Sequence, residues 1–103
     1  LHDLEVLKLT RNQLNSIEPT TFNNLHSLKL LWLDDNKLTS IDPTTFDNLR
    51  NLESLSLYNN PMFQDITDIS SIDSRIFRNL VSLYELKLTK YSTDSLPAFI
   101  NEM

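Results

Sequence analysis

Glycine and cysteine are both absent from the chain. Without cysteine there is no disulfide frame and no thiolate chemistry. Without glycine, phosphate-cradling loops of the glycine-rich kind are excluded. No apolar run approaches the ~20 residues that a membrane-crossing helix needs, so no membrane segment is expected. Positive charge is scarce: nine Lys and Arg stand against fourteen Asp and Glu, a net charge of -5. The basic footprint of a nucleic-acid binder is therefore missing, and nucleic acid is not an expected partner. Tryptophan occurs once, as Trp32 in "LKLLWLDDNKL", flanked by Leu31 and Leu33. What remains, 40% hydrophobic and 22% charged residues in a chain of 103, is ordinary for one soluble globular domain.

The order of those residues is periodic. Leu4, Leu7, Leu9, Asn12, Leu14, Ile17, Phe22 and Leu25 return 24 positions later as Leu28, Leu31, Leu33, Asn36, Leu38, Ile41, Phe46 and Leu49. "SIEPTTFNNL" matches "SIDPTTFDNL" almost letter for letter. A third copy opens with Leu52, Leu55, Leu57 and Asn60, puts Met62 in the next leucine slot, and runs long by seven residues. It regains phase at "SIDSRIFRNL", with Ile72, Phe77 and Leu80. A fourth opens with Leu83, Leu86 and Leu88, then places Tyr91 in the asparagine slot, Thr93 in the leucine slot and Leu96 in the isoleucine slot. Residues 1–103 are expected to form a single array of about four repeats, starting near 4, 28, 52 and 83, with an insertion within 63–71.

The spacing dictates local structure. Leu7 and Leu9 alternate with Val6, Lys8 and Thr10, and a period of two places one face of a short strand in the core. Asn12, Asn36 and Asn60 follow the strands, where the chain turns. An inward amide there, with two donors and an acceptor, can satisfy backbone groups that the turn leaves unpaired, forming an asparagine ladder. Pro19 and Pro43 suit a short-helical or irregular return path. One repeat cannot bury its own leucines, whereas stacked repeats can, with parallel strands ~4.8 Å apart. The expected fold is an α/β solenoid.

These residues and their spacing resemble the leucine-rich repeat family. The 24-residue unit with a phenylalanine is similar to the type found in extracellular animal proteins such as Toll-like receptors, Slit-type guidance proteins and small leucine-rich proteoglycans. The resemblance implies parallel strands on a concave face, an extracellular or cell-surface setting, and recognition of another protein, as in receptors of innate immunity or adhesion. No cofactor is expected, and with no catalytic constellation in the sequence the chain is not expected to be an enzyme. Two departures stand out: cysteine-rich end caps are lacking, and there is no Asn-x-Ser/Thr sequon. Leu1 already fills the slot of Leu25, so the expectation is a piece of a longer solenoid, or an array that closes its ends in another way.

Residues flanking the paired leucines point away from the core, and equivalent ones should stand side by side. The columns are Val6, Leu30, Ser54, Glu85; then Lys8, Trp32, Ser56, Lys87; then Thr10, Asp34, Tyr58, Thr89; then Arg11, Asp35, Asn59, Lys90. The candidate binding residues drawn from them are Lys8, Arg11, Leu30, Trp32, Asp34, Asp35, Ser56, Tyr58 and Lys87. Trp32 is expected to be largely solvent-accessible, because a one-residue slip of the strand would bury it with Lys29 and Asp34 and expose the leucines. Trp and Tyr are enriched in binding hot spots, which favours a contact role. The competing account has Trp32 flat on the sheet, covering Lys8 through a cation–π contact. Lys8 and Arg11 are expected to neutralise Asp34 and Asp35 across the repeat boundary.

Other features carry less chemistry. Within the insertion, Phe63, Ile66 and Ile69 have three-residue spacing that suits a helical turn folded on the solenoid, with a protruding partner loop as the alternative. Asp65, Asp68 and Asp73 lack the calcium-loop pattern, so no metal is expected. His2 and His26 share one repeat slot, and Ser16, Ser40, Ser71 and Ser95 follow the period. None forms a catalytic constellation. In the tail, Leu96, Phe99, Ile100 and Met103 are spaced as on one helical face and could close the last repeat. Two functions remain open: a module that binds another protein through its concave face, or a structural spacer that stacks on neighbouring repeats or on a copy of itself.

Overall fold

The computed structural model describes residues 3–63 and 73–88. Four short strands form one sheet in chain order: β1 (Val6–Lys8), β2 (Leu30–Trp32), β3 (Ser54–Ser56) and β4 (Glu85–Lys87). All neighbours are parallel. Leu7, Leu31, Leu55 and Leu86 stand in one row, as the repeat columns require. Backbone bonds beyond the strands extend the same pattern. Leu9 donates to the Trp32 carbonyl at 2.8 Å, Leu33 to Ser56 at 2.8 Å, and Leu57 to Lys87 at 2.7 Å. Each strand thus pairs only with the strands of adjacent repeats, and the fold is an α/β solenoid.

The core lies on one side of the sheet. Leu31, Leu33, Leu55 and Leu57 are wholly buried, as are Leu28, Leu38, Leu49 and Leu52. Phe22, Phe46 and Phe77 form a buried column on the return side, and the first two rings stack at 6.1 Å. The return paths are successive tight turns. Thr21, Asn23 and Leu25 donate to carbonyls three residues back, and Thr45, Asp47 and Leu49 repeat those bonds. In the third repeat they tighten into a 3₁₀ helix at Ser74–Phe77, whose first turn is capped by the Asp73 carboxylate accepting from the Arg75 N–H. Phe63, the first apolar residue of the insertion, ends a 3₁₀ turn at Pro61–Phe63 and is itself buried. Ile66, Ile69, Asp65 and Asp68, and the tail with Leu96, Phe99, Ile100 and Met103, lie outside the described residues.

The asparagine ladder is present. Asn36 is buried, and its Oδ1 accepts from the N–H of Asn12 (2.9 Å) and of Leu14 (3.0 Å) in the preceding repeat. Its Nδ2 donates to Leu9, Leu33 and Asp34 carbonyls. Asn60 does the same one repeat on, bonding Leu38 N–H and the carbonyls of Leu33 and Leu57. Asn12 sits at the first rung, is exposed, and bonds only the nearby Thr10 carbonyl at 3.3 Å through its side chain. In the three described turns the residue immediately before the rung is left-handed: Arg11, Asp35 and Asn59 have φ of 64, 58 and 61°. A chain without glycine makes this turn with Asp and Asn, which tolerate that region, and once with Arg, which does not share their tolerance.

Candidate functional site: the open strand face

The face opposite the leucines carries the expected columns. Val6, Leu30, Ser54 and Glu85 lie in register, and so do Lys8, Trp32, Ser56 and Lys87. The exposure of Trp32 differs from the expectation: the side chain is half-buried. Its indole N–H donates to Ser54 Oγ at 3.4 Å, and Lys8 Nζ lies 4.6 Å from the ring centroid. The cause is the size of its neighbours. Ser54 and Ser56 are the small members of their columns, and the indole leans across the room they leave. Trp32 reaches Ser54 from β2, while Glu85 reaches it from β4, accepting the hydroxyl at 2.5 Å. Both serines are buried, at 5% and 4% exposure, although their columns point outward.

The charges are arranged in part as expected. Arg11 Nε lies 3.8 Å from Asp35, which also accepts from Asn59 Nδ2 at 2.6 Å. Lys8 does not pair with Asp34. Asp34 instead accepts from Ser56 Oγ at 2.5 Å and from the Tyr58 N–H at 2.9 Å, so one carboxylate oxygen ties two repeats together. Lys8 is drawn to the indole, where an ammonium meets the negative face of a ring. The same contact recurs at the far end of the sheet, with Lys87 Nζ 5.3 Å from the Tyr58 ring centroid. Leu30 is half-buried beside the half-exposed Val6.

All nine expected residues therefore lie along the open strand face and its turn-side rim. Ser54 and Glu85, left out of the expected set, prove integral to it. The signal that could have marked them was their place in the column shared with Leu30, next to the one holding Trp32. Away from this face, Asp47 accepts a two-point contact from Arg78, at 3.2 and 2.6 Å, and Asp73 one from Arg75 at 3.0 and 2.9 Å. The Arg78–Asp47 contact joins two return turns, the Arg75–Asp73 contact lies within one, and both leave the strand face untouched. Among the described residues no group of three His, Cys, Asp or Glu is placed to hold a metal ion, and no helix is long and apolar enough to cross a membrane.

A parallel sheet with one strand per repeat, buried asparagines at the second and third turns and a phenylalanine column behind it defines a leucine-rich repeat solenoid. The chain belongs to the leucine-rich repeat family, whose model matches residues 2–62. Among solved structures it is similar to the TLR13–ssRNA13 complex, at 36% identity and a TM-score of 0.73 over 85% of this chain and 11% of that one. It is also similar in fold to the leucine-rich repeat domain of APL1B, at 24% identity and a TM-score of 0.63 over 92% of this chain and 34% of that one. The chain thus spans about a tenth and about a third of the two proteins it resembles. Among curated proteins no match is found.

Proposed function

We propose that the chain is a non-catalytic recognition module that binds another protein through its open strand face. The observation that carries this is the cluster on that face. An indole, a phenol and two lysine ammoniums are held there by hydrogen bonds and ring contacts, while the leucines that make the fold lie on the other side. Side chains fixed before binding lose little freedom when a partner docks, which favours affinity. Family membership supports an interaction scaffold, and the similarity to TLR13 and APL1B structures supports an extracellular or cell-surface setting with a role in immunity or adhesion.

The test uses proteins selected from a display library against the folded chain. Trp32→Ala should weaken the selected binders by ~2 kcal/mol or more, Tyr58→Ala by less, and Arg50→Ala, off the strand face, by little. Circular dichroism of each variant should be unchanged. Binders that are indifferent to Trp32→Ala and Tyr58→Ala, yet sensitive to Arg50→Ala, would place recognition elsewhere.

A second reading, a spacer or self-assembling segment, is favoured by one observation. At the first repeat, β1 pairs on one side only among the described residues, Leu4, Leu7, Leu9, Leu14 and Ile17 are only partly buried, and Val6 is 50% exposed, a face on which another repeat or a copy of the chain can stack. An unpaired edge with apolar surface invites stacking. Sedimentation equilibrium decides between the two: concentration-dependent association abolished by Val6→Lys supports assembly, and a monomer at high concentration removes it.

A further inference from the structure

The two aromatic side chains on the strand face do not present bare rings. Lys8 Nζ lies over Trp32 at 4.6 Å, and Lys87 Nζ lies over Tyr58 at 5.3 Å. The lysines come from the two outer strands, β1 and β4, and the rings from the second and third repeats between them. A partner approaching this face meets an ammonium at each ring. Neither ammonium has a carboxylate within ion-pair distance among the described residues, unlike Arg11, Lys29, Arg75 and Arg78. The neighbouring carboxylates are committed otherwise. Asp34 accepts from Ser56 and Tyr58, Asp35 is held by Asn59 and Arg11, and Glu85 accepts from Ser54. Within the strand columns, the cations without a counter-charge are therefore the two over the rings; Lys37 and Arg50, which also lack one among the described residues, lie outside those columns.

Resting on the strand face as the recognition surface, we infer that its partner is an acidic protein segment whose carboxylates engage Lys8 and Lys87. Each carboxylate completes an arrangement already two-thirds built, a ring, an ammonium above it and an anion above that. The ring holds the ammonium in place, so less side-chain freedom is lost when the pair forms. The two lysines stand three strand spacings apart in the sheet, about 14 Å, and lean inward over their rings. An extended segment crossing the strands covers that distance with about four residues. Between the lysines it meets Trp32, the Ser54 hydroxyl engaged by the indole and Glu85, and the Ser56 hydroxyl engaged by Asp34, a floor suited to an apolar or small side chain. A nucleic acid fits less well. Its evenly spaced phosphates would pass over Asp34, Asp35 and Glu85 as well as over the lysines, in a chain of net charge -5.

The test follows the emission of Trp32, the chain's sole tryptophan, during titration with three probes. These are a 12-residue peptide with glutamates spaced four apart around leucine, its glutamine twin, and a 12-nucleotide single-stranded RNA. The glutamate peptide should change the emission at a concentration at least tenfold below that needed for its twin, and the gap should narrow as salt rises. Lys8→Gln and Lys87→Gln should each weaken it several-fold, and Lys37→Gln, off the face, should not. Equal binding of both peptides, or no binding of either to a folded chain, overturns the carboxylate preference and leaves strand-face recognition to its own test. Tight binding of the RNA alone makes the partner a nucleic acid. Peptide binding that survives the double Lys8, Lys87 substitution but falls with Arg50→Gln overturns the site itself, and the strand-face proposal with it.

Discussion

Asn36 donates through Nδ2 to the Leu9 carbonyl at 3.0 Å, and Asn60 makes the same bond to Leu33 one repeat later at 3.0 Å. Each asparagine thus serves its own turn and the backbone of the repeat before it. Asn36→Ala should lower unfolding free energy by ~1–3 kcal/mol, since the N–H groups of Asn12 and Leu14 and the Leu9 carbonyl lose their partner. Asn60, at 0% exposure, should cost at least as much. Asn12→Ala should cost less than ~0.5 kcal/mol, because its exposed side chain bonds only Thr10. Urea denaturation of the three variants checks the order, and equal losses would remove the ladder as its cause.

Thr45 carries the reverse of this situation. Its hydroxyl is buried, at 1% residue exposure, with no hydrogen-bond partner. The same column holds exposed Thr21 in the repeat before and buried Ile76 in the one after. Thr45→Val keeps the shape and removes the stranded hydroxyl, so the variant should be more stable by ~1 kcal/mol. A thermal melt that shifts downward would show that the hydroxyl has a partner in solution.

Arg11 holds a left-handed conformation, φ 64°, that Asp35 and Asn59 occupy in the next two repeats. The conformation disfavours a long side chain, and the Arg11–Asp35 pair that would be lost is long and mostly exposed. Arg11→Asn should therefore stabilise the chain by a few tenths to ~1 kcal/mol. Destabilisation in a denaturant titration would mean that the ion pair outweighs the backbone.

Asp42 and Asp73 should titrate below the usual aspartate value of 3.8. The Thr44 hydroxyl and then its backbone N–H hold Asp42 down, and the Arg75 guanidinium and then its N–H hold Asp73. Because the folded values are depressed, the stability they contribute is present above pH ~3.9 and is lost as pH falls through the folded values. Carboxyl-carbon NMR titration should show both residues protonating below the usual aspartate value on acidification. Arg75→Gln should raise the value of Asp73 and leave Asp42 nearly where it was.

The strand register was legible because the 24-residue period fixes it: any column of the repeat can be copied onto its neighbour, and Leu7, Leu31, Leu55 and Leu86 pair as copied. The ladder was legible for the same reason. The burial of Trp32 was not read from its own strand, since alternation sends it outward and says nothing of what lies beside it. Neighbouring serines were in the columns, and a large ring next to two small side chains has room to fall. The Lys8 contact was foreseeable as an alternative, whereas the diversion of Asp34 to Ser56 and the Tyr58 N–H was not, because opposite charges in adjacent columns point to an ion pair and neutral donors leave no such signal. The left-handed column is a third case. Arg11 hides a requirement that a glycine would have announced.

The sheet's strands lie side by side along the array, with each hydrogen-bonded row joining one repeat to the next. Tension between the two ends of the array pulls these rows apart one after another, as a zip opens, whereas tension along a strand direction would shear whole rows together. The protein should therefore be mechanically compliant along its length and stiff across it. The weakest rung among the described residues is at Asn12, whose side chain bonds only Thr10 while Asn36 reaches back to the Leu9 carbonyl. A load that reaches the strand face through Lys8 and Lys87 together acts across all four strands at once, and in that direction a bound partner would brace the array like a splint.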